Sequence, residues 1–219
     1  TGRRDMAERT YSRRLQVAFP ERGHQSGVYV LPGNAPTAPS YQQSPEVAEY
    51  FREAEEKRRE SKGEWGRVTG SPGLIFPNAA LHPRQPRSIA VLHPRGAHQT
   101  EMWRWYFVDA GAPYEVKNFL RQYYIRYSGP GGLTEQDDME NWNYAHSASR
   151  GAIARRHPYS YEQGLGFEQT NYEYEGLKFP GQVMDLGDAR SSEQNLRNFY
   201  KRWAEFMDSP SWDELASWR

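Results

Sequence analysis

The sequence predicts one α+β domain in which an antiparallel sheet wraps around a helix that begins near Gln136. Residues 101–108 alternate in polarity along a strand, with Trp103 and Trp105 on one face. Residues 113–127 instead place apolar side chains three and four positions apart, which is typical of an amphipathic helix. Strands that come first, with helices interspersed between them, favour an α+β arrangement.

The first 73 residues are predicted to contain one helix with clear end signals, besides a segment at 1–14 that is helical or frayed. Ser44 suits the N-cap and Pro45 the first helical position, so we expect a helix that runs to about Ser61. Glycine and proline clusters mark the connections around it. The other predictions are a basic, polar segment at 1–14, strands at 15–19 and 27–31, and loops at 34–44 and 63–73.

The rest of the chain, from residue 74 on, is predicted to hold three strands and three further helices besides 113–127. The stretch 159–183 is rich in Tyr and Gly and is expected to be irregular. The predicted strands are 74–81, 88–92 and 101–108, and the further helices are 136–155 with a break near 149–151, 194–207 and 211–218.

Composition excludes several classes of protein. The 219 residues include 28 basic and 28 acidic ones, so charge does not point to nucleic acid or an anionic membrane as a partner. No apolar run of about 18 residues and no signal segment is evident, and we expect a soluble, cytoplasmic protein. Cysteine is absent, which excludes disulfides, zinc ribbons and Cys-ligated iron–sulfur clusters within this chain.

The most informative stretch is GPGGLTEQDDMENW at 129–142, where a glycine-rich loop precedes a helix. Thr134 suits the N-cap, and Asp137 suits the third position of a capping box. Asp138 has no such role and shares a helical side with Trp142. A carboxylate on an apolar face needs a partner, and a metal ion is one. The alternative is an ordinary acid in the first turn, where the helix dipole favours negative charge.

Two histidines have a spacing that suggests a metal pair. His93 and His98 stand five residues apart, but Pro94 and Gly96 between them favour a turn. A pocket wall or a solvated turn is therefore the favoured interpretation, and a metal pair is the less favoured one. No constellation is evident around three other histidines, His82, His146 and His157.

A series of short motifs occurs in order along most of the chain. They are IFPN at 75–78, HPRG at 93–96, EMWRWYFVD at 101–109, the segment 128–142, GLG at 164–166, the run 197–203 and SW at 211–212. Together they resemble the catalytic domain of the large (alpha) subunit of Rieske-type aromatic ring-hydroxylating dioxygenases.

The resemblance implies a helix-grip (START-like) fold, in which a sheet and a long helix enclose an apolar cavity. It implies that Asp138 is the carboxylate ligand of a mononuclear Fe(II), beside two imidazoles. The implied substrate pocket includes His93, Leu133, Thr134 and Gln136. Thr134 stands where the family often has an aromatic residue, and this departure would enlarge or polarise the pocket.

The implied activity is the insertion of O2 into an arene to give a cis-dihydrodiol. The family carries a Rieske [2Fe-2S] cluster in an N-terminal domain, and its iron-binding histidines also lie upstream. We find neither segment in residues 1–219, and we expect a partial, N-terminally truncated catalytic domain that is inactive alone. The implied partners are a small (beta) subunit, a ferredoxin and an NADH-dependent reductase, in a trimer-based homo- or hetero-oligomer.

Two other functions stay open at this point. One is a non-catalytic helix-grip module that binds an apolar ligand, with Asp138 as a simple first-turn acid. The other is a structural partner subunit whose surface aromatics anchor an interface. Arg104 and Arg126 are candidates for pairing with a carboxylated substrate, although a surface salt bridge is the favoured role for each.

Overall fold

The computed structural model describes residues 13–32, 44–85, 87–187 and 191–215. Within these residues the chain forms an eight-stranded antiparallel sheet, a separate two-stranded hairpin and four α-helices. The α+β prediction is therefore confirmed. The predictions for residues 1–12, for most of the 34–44 loop and for the end of the last helix lie outside the described residues.

The elements are numbered in chain order. The strands are β1 (Arg13–Phe19), β2 (His24–Val30), β3 (Val68–Ile75), β4 (Ala79–His82), β5 (Ser88–Pro94), β6 (Thr100–Tyr106), β7 (Gln169–Thr170), β8 (Glu173–Tyr174), β9 (Leu177–Lys178) and β10 (Gln182–Asp185). The α-helices are α1 (Pro45–Lys62), α2 (Tyr114–Ser128), α3 (Glu135–Ser149) and α4 (Gln194–Asp208). Short 3-10 helices occupy Gly63–Arg67, Ala154–Arg156 and Trp212–Glu214.

The large sheet has the strand order β6-β5-β4-β3-β2-β1-β10-β7, and β8 and β9 pair separately. Ala90 of β5 lies opposite Arg104 of β6, and Val91 lies opposite Trp103. Successive side chains of a strand point to opposite faces, so these two pairs define two faces. We call the face of Ala90 and Arg104 over β3–β6 the helix-covered face, and the face of Val91 and Trp103 the open face.

One hydrophobic core lies at the β1–β10 end of the sheet. Leu15 and Val17 of β1 are buried together with Val183 of β10, which pairs with Val17. Leu177 of the small hairpin and Phe179 cover these side chains. Burying each aliphatic side chain fully stabilises the fold by about 1.5–3 kcal/mol.

A second core lies between α1, α2 and the opposite end of the sheet. Val47 of α1 packs with Val116 and Leu120 of α2, as the predicted apolar stripe of that helix requires. The ring of Tyr106 in β6 stacks on Tyr124 of α2 with centroids 4.7 Å apart. Helices α1 and α2 therefore cover the helix-covered face at β5 and β6.

The prediction that the sheet wraps around the helix of Asp138 is wrong within the described residues. Helix α3 has no buried residue, whereas α4 packs against β1 and β2. The apolar residues of α3, such as Met139, Trp142 and Tyr144, lie on different sides of the helix and form no single stripe. The break predicted near 149–151 is confirmed, because α3 ends at Ser149.

The predicted loop at 63–73 is also wrong in part, because β3 begins at Val68. A Cβ on Gly70 would lie 2.6 Å from Cγ of Pro83, and one on Gly73 would lie 2.8 Å from the carbonyl oxygen of Gln25. These close neighbours leave no room for a side chain at positions 70 and 73. The two glycines therefore belong to the strand, although glycine in a sequence normally argues against one. The predicted strand 74–81 is divided into β3 and β4 by a turn at 76–78.

None of the helices within the described residues combines the length and the apolar character needed to cross a bilayer.

Candidate active site

The loop that carries the glycine-rich motif is held against the end of α2. The backbone N–H of Gly129 donates to the carbonyl oxygens of Tyr124 and Ile125, and that of Leu133 donates to Arg126 at 3.0 Å. A Cβ on Gly129 would lie 2.5 Å from the Ile125 carbonyl oxygen, so only glycine fits there. These hydrogen bonds therefore fix the position of residue 134 beside the end of α2.

Helix α3 begins without the predicted capping box. Thr134 occupies the N-cap position, as predicted, but its side chain makes no capping hydrogen bond. Gln136 instead donates its side-chain amide to the carbonyl oxygen of Gly129. Asp137 and Asp138 both lie in the first turn, where the helix dipole favours carboxylates, and both are exposed.

An ion pair ties the first residue of α3 to the edge strand of the sheet. Arg104 of β6 contacts the carboxylate of Glu135, and its Nη1 donates to Oγ of Ser128 at 3.2 Å. The side chains of Arg104 and Glu135 are only 17% and 19% exposed. Arg104 thus has a structural partner within the chain, as the favoured interpretation predicted, and it fixes the start of α3.

Asp138 has a free carboxylate in the described part of the chain. It makes no hydrogen bond or ion pair there, and it lies on the exposed surface of α3 together with Trp142, which is 58% exposed. The enclosed apolar surrounding expected for this residue is not formed by the described residues. Its carboxylate is therefore available to a cation as one anionic oxygen ligand.

The described residues do not supply the rest of a metal site. They contain no group of three or more His, Asp or Glu side chains arranged to hold a metal ion. Asp138 therefore fits an iron centre only as one ligand among others supplied from elsewhere.

The predicted pocket residues fall into two places. Leu133, Thr134 and Gln136 lie with Asp138 at the start of α3, and Leu133 is 87% exposed. His93 lies on β5 opposite Glu101, which places it on the open face. The structure therefore does not bring His93 to the other three residues, because alternation along β5 turns it away from α2.

The two histidines of the suspected metal pair have different neighbours. The ring of His93 packs against Trp103 with centroids 5.3 Å apart. The ring of His98, in the β5–β6 turn, lies 5.6 Å from that of His146 in the last turn of α3. Sequence spacing could not reveal the His98–His146 contact, since it depends on how α3 crosses the end of the sheet.

Residues 9–209 match the family model described as the ring hydroxylating alpha subunit (catalytic domain). The chain belongs to this family. The resemblance found in the sequence motifs is thereby confirmed, and the ring-hydroxylating alpha-subunit family also accounts for the antiparallel sheet and its helices.

Curated relatives in the family are considerably longer than this chain. The chain is 35% identical over 199 residues to the biphenyl dioxygenase subunit alpha of Paraburkholderia xenovorans, which covers 88% of this chain and 41% of the relative. It is 33% identical over 202 residues to the benzene 1,2-dioxygenase subunit alpha of Pseudomonas putida, covering 90% of this chain and 42% of the relative. The chain thus spans less than half the length of these relatives.

Solved structures show the same fold. Naphthalene 1,2-dioxygenase with indole bound in its active site superimposes with a TM-score of 0.71 at 22% identity, covering 92% of this chain and 43% of that one. A naphthalene 1,2-dioxygenase variant bound to phenanthrene gives a TM-score of 0.72 at 23% identity, covering 92% and 44%. The predicted fold class, an α+β catalytic domain built on a large antiparallel sheet, is therefore confirmed.

Proposed function

We propose that residues 1–219 form part of the catalytic domain of the oxygenase alpha subunit of an aromatic ring-hydroxylating dioxygenase. The proposed reaction inserts both atoms of O2 into an arene and gives a cis-dihydrodiol. The observation that supports it most strongly is the family match over residues 9–209. The relatives that match at 30% identity or more are named as dioxygenase alpha subunits, which disfavours a non-catalytic carrier of apolar ligands.

We propose Asp138 as the carboxylate ligand of a mononuclear Fe(II). It is the second aspartate of the EQDD motif, it lies at the start of α3, and its oxygens have no partner among the described residues. When bound, the iron would supply open coordination positions for dioxygen beside the substrate. Asp138 contributes negative charge and a fixed oxygen, and two histidines outside this chain complete the ligand set.

We propose that Leu133, Thr134 and Gln136 form one rim of the substrate pocket. The three precede Asp138 directly, and the hydrogen bonds of the loop to α2 hold them in place. Thr134 places a hydroxyl group at this rim, so the pocket would tolerate a polar substituent on the arene. His93 stays a separate prediction, because it lies on the open face of the sheet.

We propose that the other parts of the enzyme lie outside this chain. A Rieske [2Fe-2S] cluster needs cysteine ligands, and this chain contains no cysteine. The longer subunit would carry the cluster and receive electrons from NADH through a reductase and a ferredoxin. The relatives are named as alpha subunits, which supports a small beta subunit as a further partner. We propose that the assembly is a trimer-based oligomer.

The test replaces Asp138 in the full-length subunit and measures iron and product. Asp138→Ala is expected to remove the mononuclear iron and the cis-dihydrodiol, while the spectroscopic signal of the Rieske cluster remains. Losing one of three ligands weakens the chelate, so the iron should fall to background. Asp137→Ala is the matched control, since it removes the neighbouring exposed carboxylate and should keep both. Iron and turnover that survive Asp138→Ala would refute the assignment.

A further inference from the structure

Helix α4 places a row of polar residues against the sheet and leaves a row of large apolar residues exposed, although Phe199 and Phe206 pack on the buried ring of Phe76. Its buried residues are polar, with exposed fractions of 2% for Gln194, 5% for Asn198 and 4% for Arg202. These positions are four residues apart and share one side of the helix. The opposite side carries large apolar residues that are 44–67% exposed, namely Leu196, Tyr200, Trp203 and Met207.

Specific contacts fix the polar side of α4 against the sheet. The side-chain amide of Gln194 donates to the carbonyl oxygen of Gln182 at 3.1 Å, and that of Asn198 donates to His24 at 3.3 Å. Both acceptors belong to strands of the large sheet, β10 and β2. Rotation of α4 to bury its apolar side would break these hydrogen bonds and leave buried polar groups without partners.

The far end of the polar side is fixed as well. Arg202 donates to Glu205 at 2.7 Å, and its guanidinium lies 4.8 Å from the ring centroid of Phe206. A Cβ on Gly23, in the β1–β2 turn, would lie 2.8 Å from Cγ of Arg202, so the turn packs closely on this side chain. The outward position of the apolar side is thus a property of the fold.

The apolar side of α4 has the spacing of a helix–helix contact. Leu196, Tyr200, Trp203 and Met207 follow one another at intervals of four, three and four residues. This is the spacing at which one α-helix packs its side chains between those of another. We call these four residues the α4 seam; it lies about 170° round the helix from the buried polar side.

The α4 seam has a fixed wall beside it. Arg197 holds the loop at 161–168 by donating to the carbonyl oxygens of Tyr161 at 2.7 Å and Gln163 at 3.0 Å. The ring of Tyr161 packs against Tyr200 of the seam with centroids 5.5 Å apart. In the same loop, Leu165 is 59% exposed. The contact between Tyr161 and Tyr200 thus extends the apolar surface of the seam towards this loop, and exposed apolar surfaces of this kind are typical of interaction sites.

We propose that the α4 seam binds an amphipathic α-helix supplied by the same polypeptide, from the part of the alpha subunit that this chain does not contain. The spacing of the seam favours a helix as occupant. The lengths of the relatives favour the same polypeptide as its source, since this chain spans only 41% of the biphenyl dioxygenase subunit alpha. This surface is separate from Asp138, and the proposal does not depend on the iron chemistry.

The test is photo-crosslinking in the alpha subunit as its gene encodes it, purified in its assembled form. A p-benzoylphenylalanine residue replaces Trp203, and the linked peptide is identified by mass spectrometry. The expected product is a link to a peptide of the same polypeptide that lies outside residues 1–219. The same residue in place of Tyr161 is the positive control, because Tyr161 contacts Tyr200 and should link to α4. The negative control places p-benzoylphenylalanine at position 114 instead, because Tyr114 is 75% exposed at the start of α2, away from the seam.

Several results would overturn the proposal. A link from position 203 to a second copy, to another subunit or to residues 1–219 would give the seam a different occupant. No link at 203 while position 161 reacts would show that the seam stays exposed. A gene that encodes only these 219 residues would remove the proposed occupant. None of these readouts requires iron or turnover, so they are independent of the test of Asp138.

A second measurement tests the same contact without a probe. Trp203→Glu in the full-length subunit places a charge in the middle of the seam and is expected to lower the midpoint of thermal unfolding by about 4 °C or more. Tyr114→Glu is the matched control and is expected to leave the midpoint nearly unchanged, because Tyr114 lies on a different surface. Equal midpoints for the two variants would contradict the proposal.

Discussion

The carboxylate of Asp185 joins three parts of the chain. It accepts hydrogen bonds from Nε of Arg13 at 3.1 Å, from the hydroxyl of Tyr172 at 2.6 Å and from the backbone N–H of Gly187 at 3.0 Å. Burial alone would raise the pKa of Asp185, but the hydrogen bonds outweigh it, and the pKa is lowered. Burial and the hydrogen bond to Asp185 raise the pKa of Tyr172 to about 12.

Asp185 should make the stability of the chain depend on acidic pH. An unfolded aspartate titrates near pH 4, and the folded carboxylate binds its proton less tightly. The contribution of Asp185 to the free energy of unfolding is therefore complete above about pH 4, and it is lost as the pH falls through the lowered pKa. Asp185→Asn is expected to reduce the free energy of unfolding at pH 7 by about 2 kcal/mol. Urea denaturation of both proteins should show this difference shrinking at about pH 3.

Tyr172→Phe is the control for that experiment. It removes one hydrogen bond and leaves the carboxylate with Arg13, so it should destabilise the chain less than Asp185→Asn at pH 7. A difference between wild type and Asp185→Asn that stays constant from pH 7 to pH 3 would contradict the role given to this carboxylate.

The histidines show where reasoning from single residues stops. Pro94 and Gly96 correctly indicate a turn between His93 and His98, because both restrict the backbone locally. The contact between His98 and His146 joins positions that are far apart in the chain. No local pattern encodes it, since it follows from where the Gly129 loop directs α3.

Among the helices, the position of α3 depends on its link to the sheet edge. Arg104 is held between Ser128 at the end of α2 and Glu135 at the start of α3. Arg104→Met is expected to lower the free energy of unfolding by about 1–3 kcal/mol, because Glu135 is left half-buried without its cation. Amide hydrogen exchange should become faster over α3 and stay unchanged over α1.

Arg95→Met provides a matched control close to the same sheet edge. Arg95 pairs with Glu101, but their side chains are 57% and 44% exposed, and an exposed pair contributes little. The double variant Arg104→Met with Glu135→Gln should recover part of the lost stability, because no unpaired charge remains. If Arg95→Met and Arg104→Met had equal effects, the Arg104–Glu135 link would not be what holds α3.

Elements with strong local signals were predictable from the sequence. Helix α1 begins at Pro45 after Ser44, and α2 carries the regular stripe that contains Val116 and Leu120. Most of strand β3 was missed, because Gly70 and Gly73 are required by close contacts with Pro83 and Gln25, which are distant in sequence. The sequence also could not show which helix packs on β1 and β2, because α4 turns its polar side inward and α3 has no stripe. In the candidate site, it predicted Thr134 as N-cap but not the Arg104–Glu135 link.

For the molecule as a whole, large apolar side chains remain exposed on three separate surfaces. The open face of the sheet shows Trp103 and Trp105, which are 48% and 44% exposed, and α3 shows Trp142 at 58%. The third surface is the α4 seam. Exposed apolar surfaces of this kind are typical of sites that contact other protein. They agree with a chain that spans less than half the length of its curated relatives.

The ligands available among the described residues limit iron binding by the 219-residue chain. One carboxylate holds ferrous iron weakly, because a stable non-haem site requires two imidazoles together with it. The purified chain is therefore expected to retain far less than stoichiometric iron when measured by elemental analysis, and Asp138→Ala should not change that amount. In the full-length subunit the same substitution should abolish iron retention, so Asp138 would matter only where the histidines are present. Stoichiometric ferrous iron on the 219-residue chain would contradict this view, because its described residues would then have to supply a full ligand set that they do not contain.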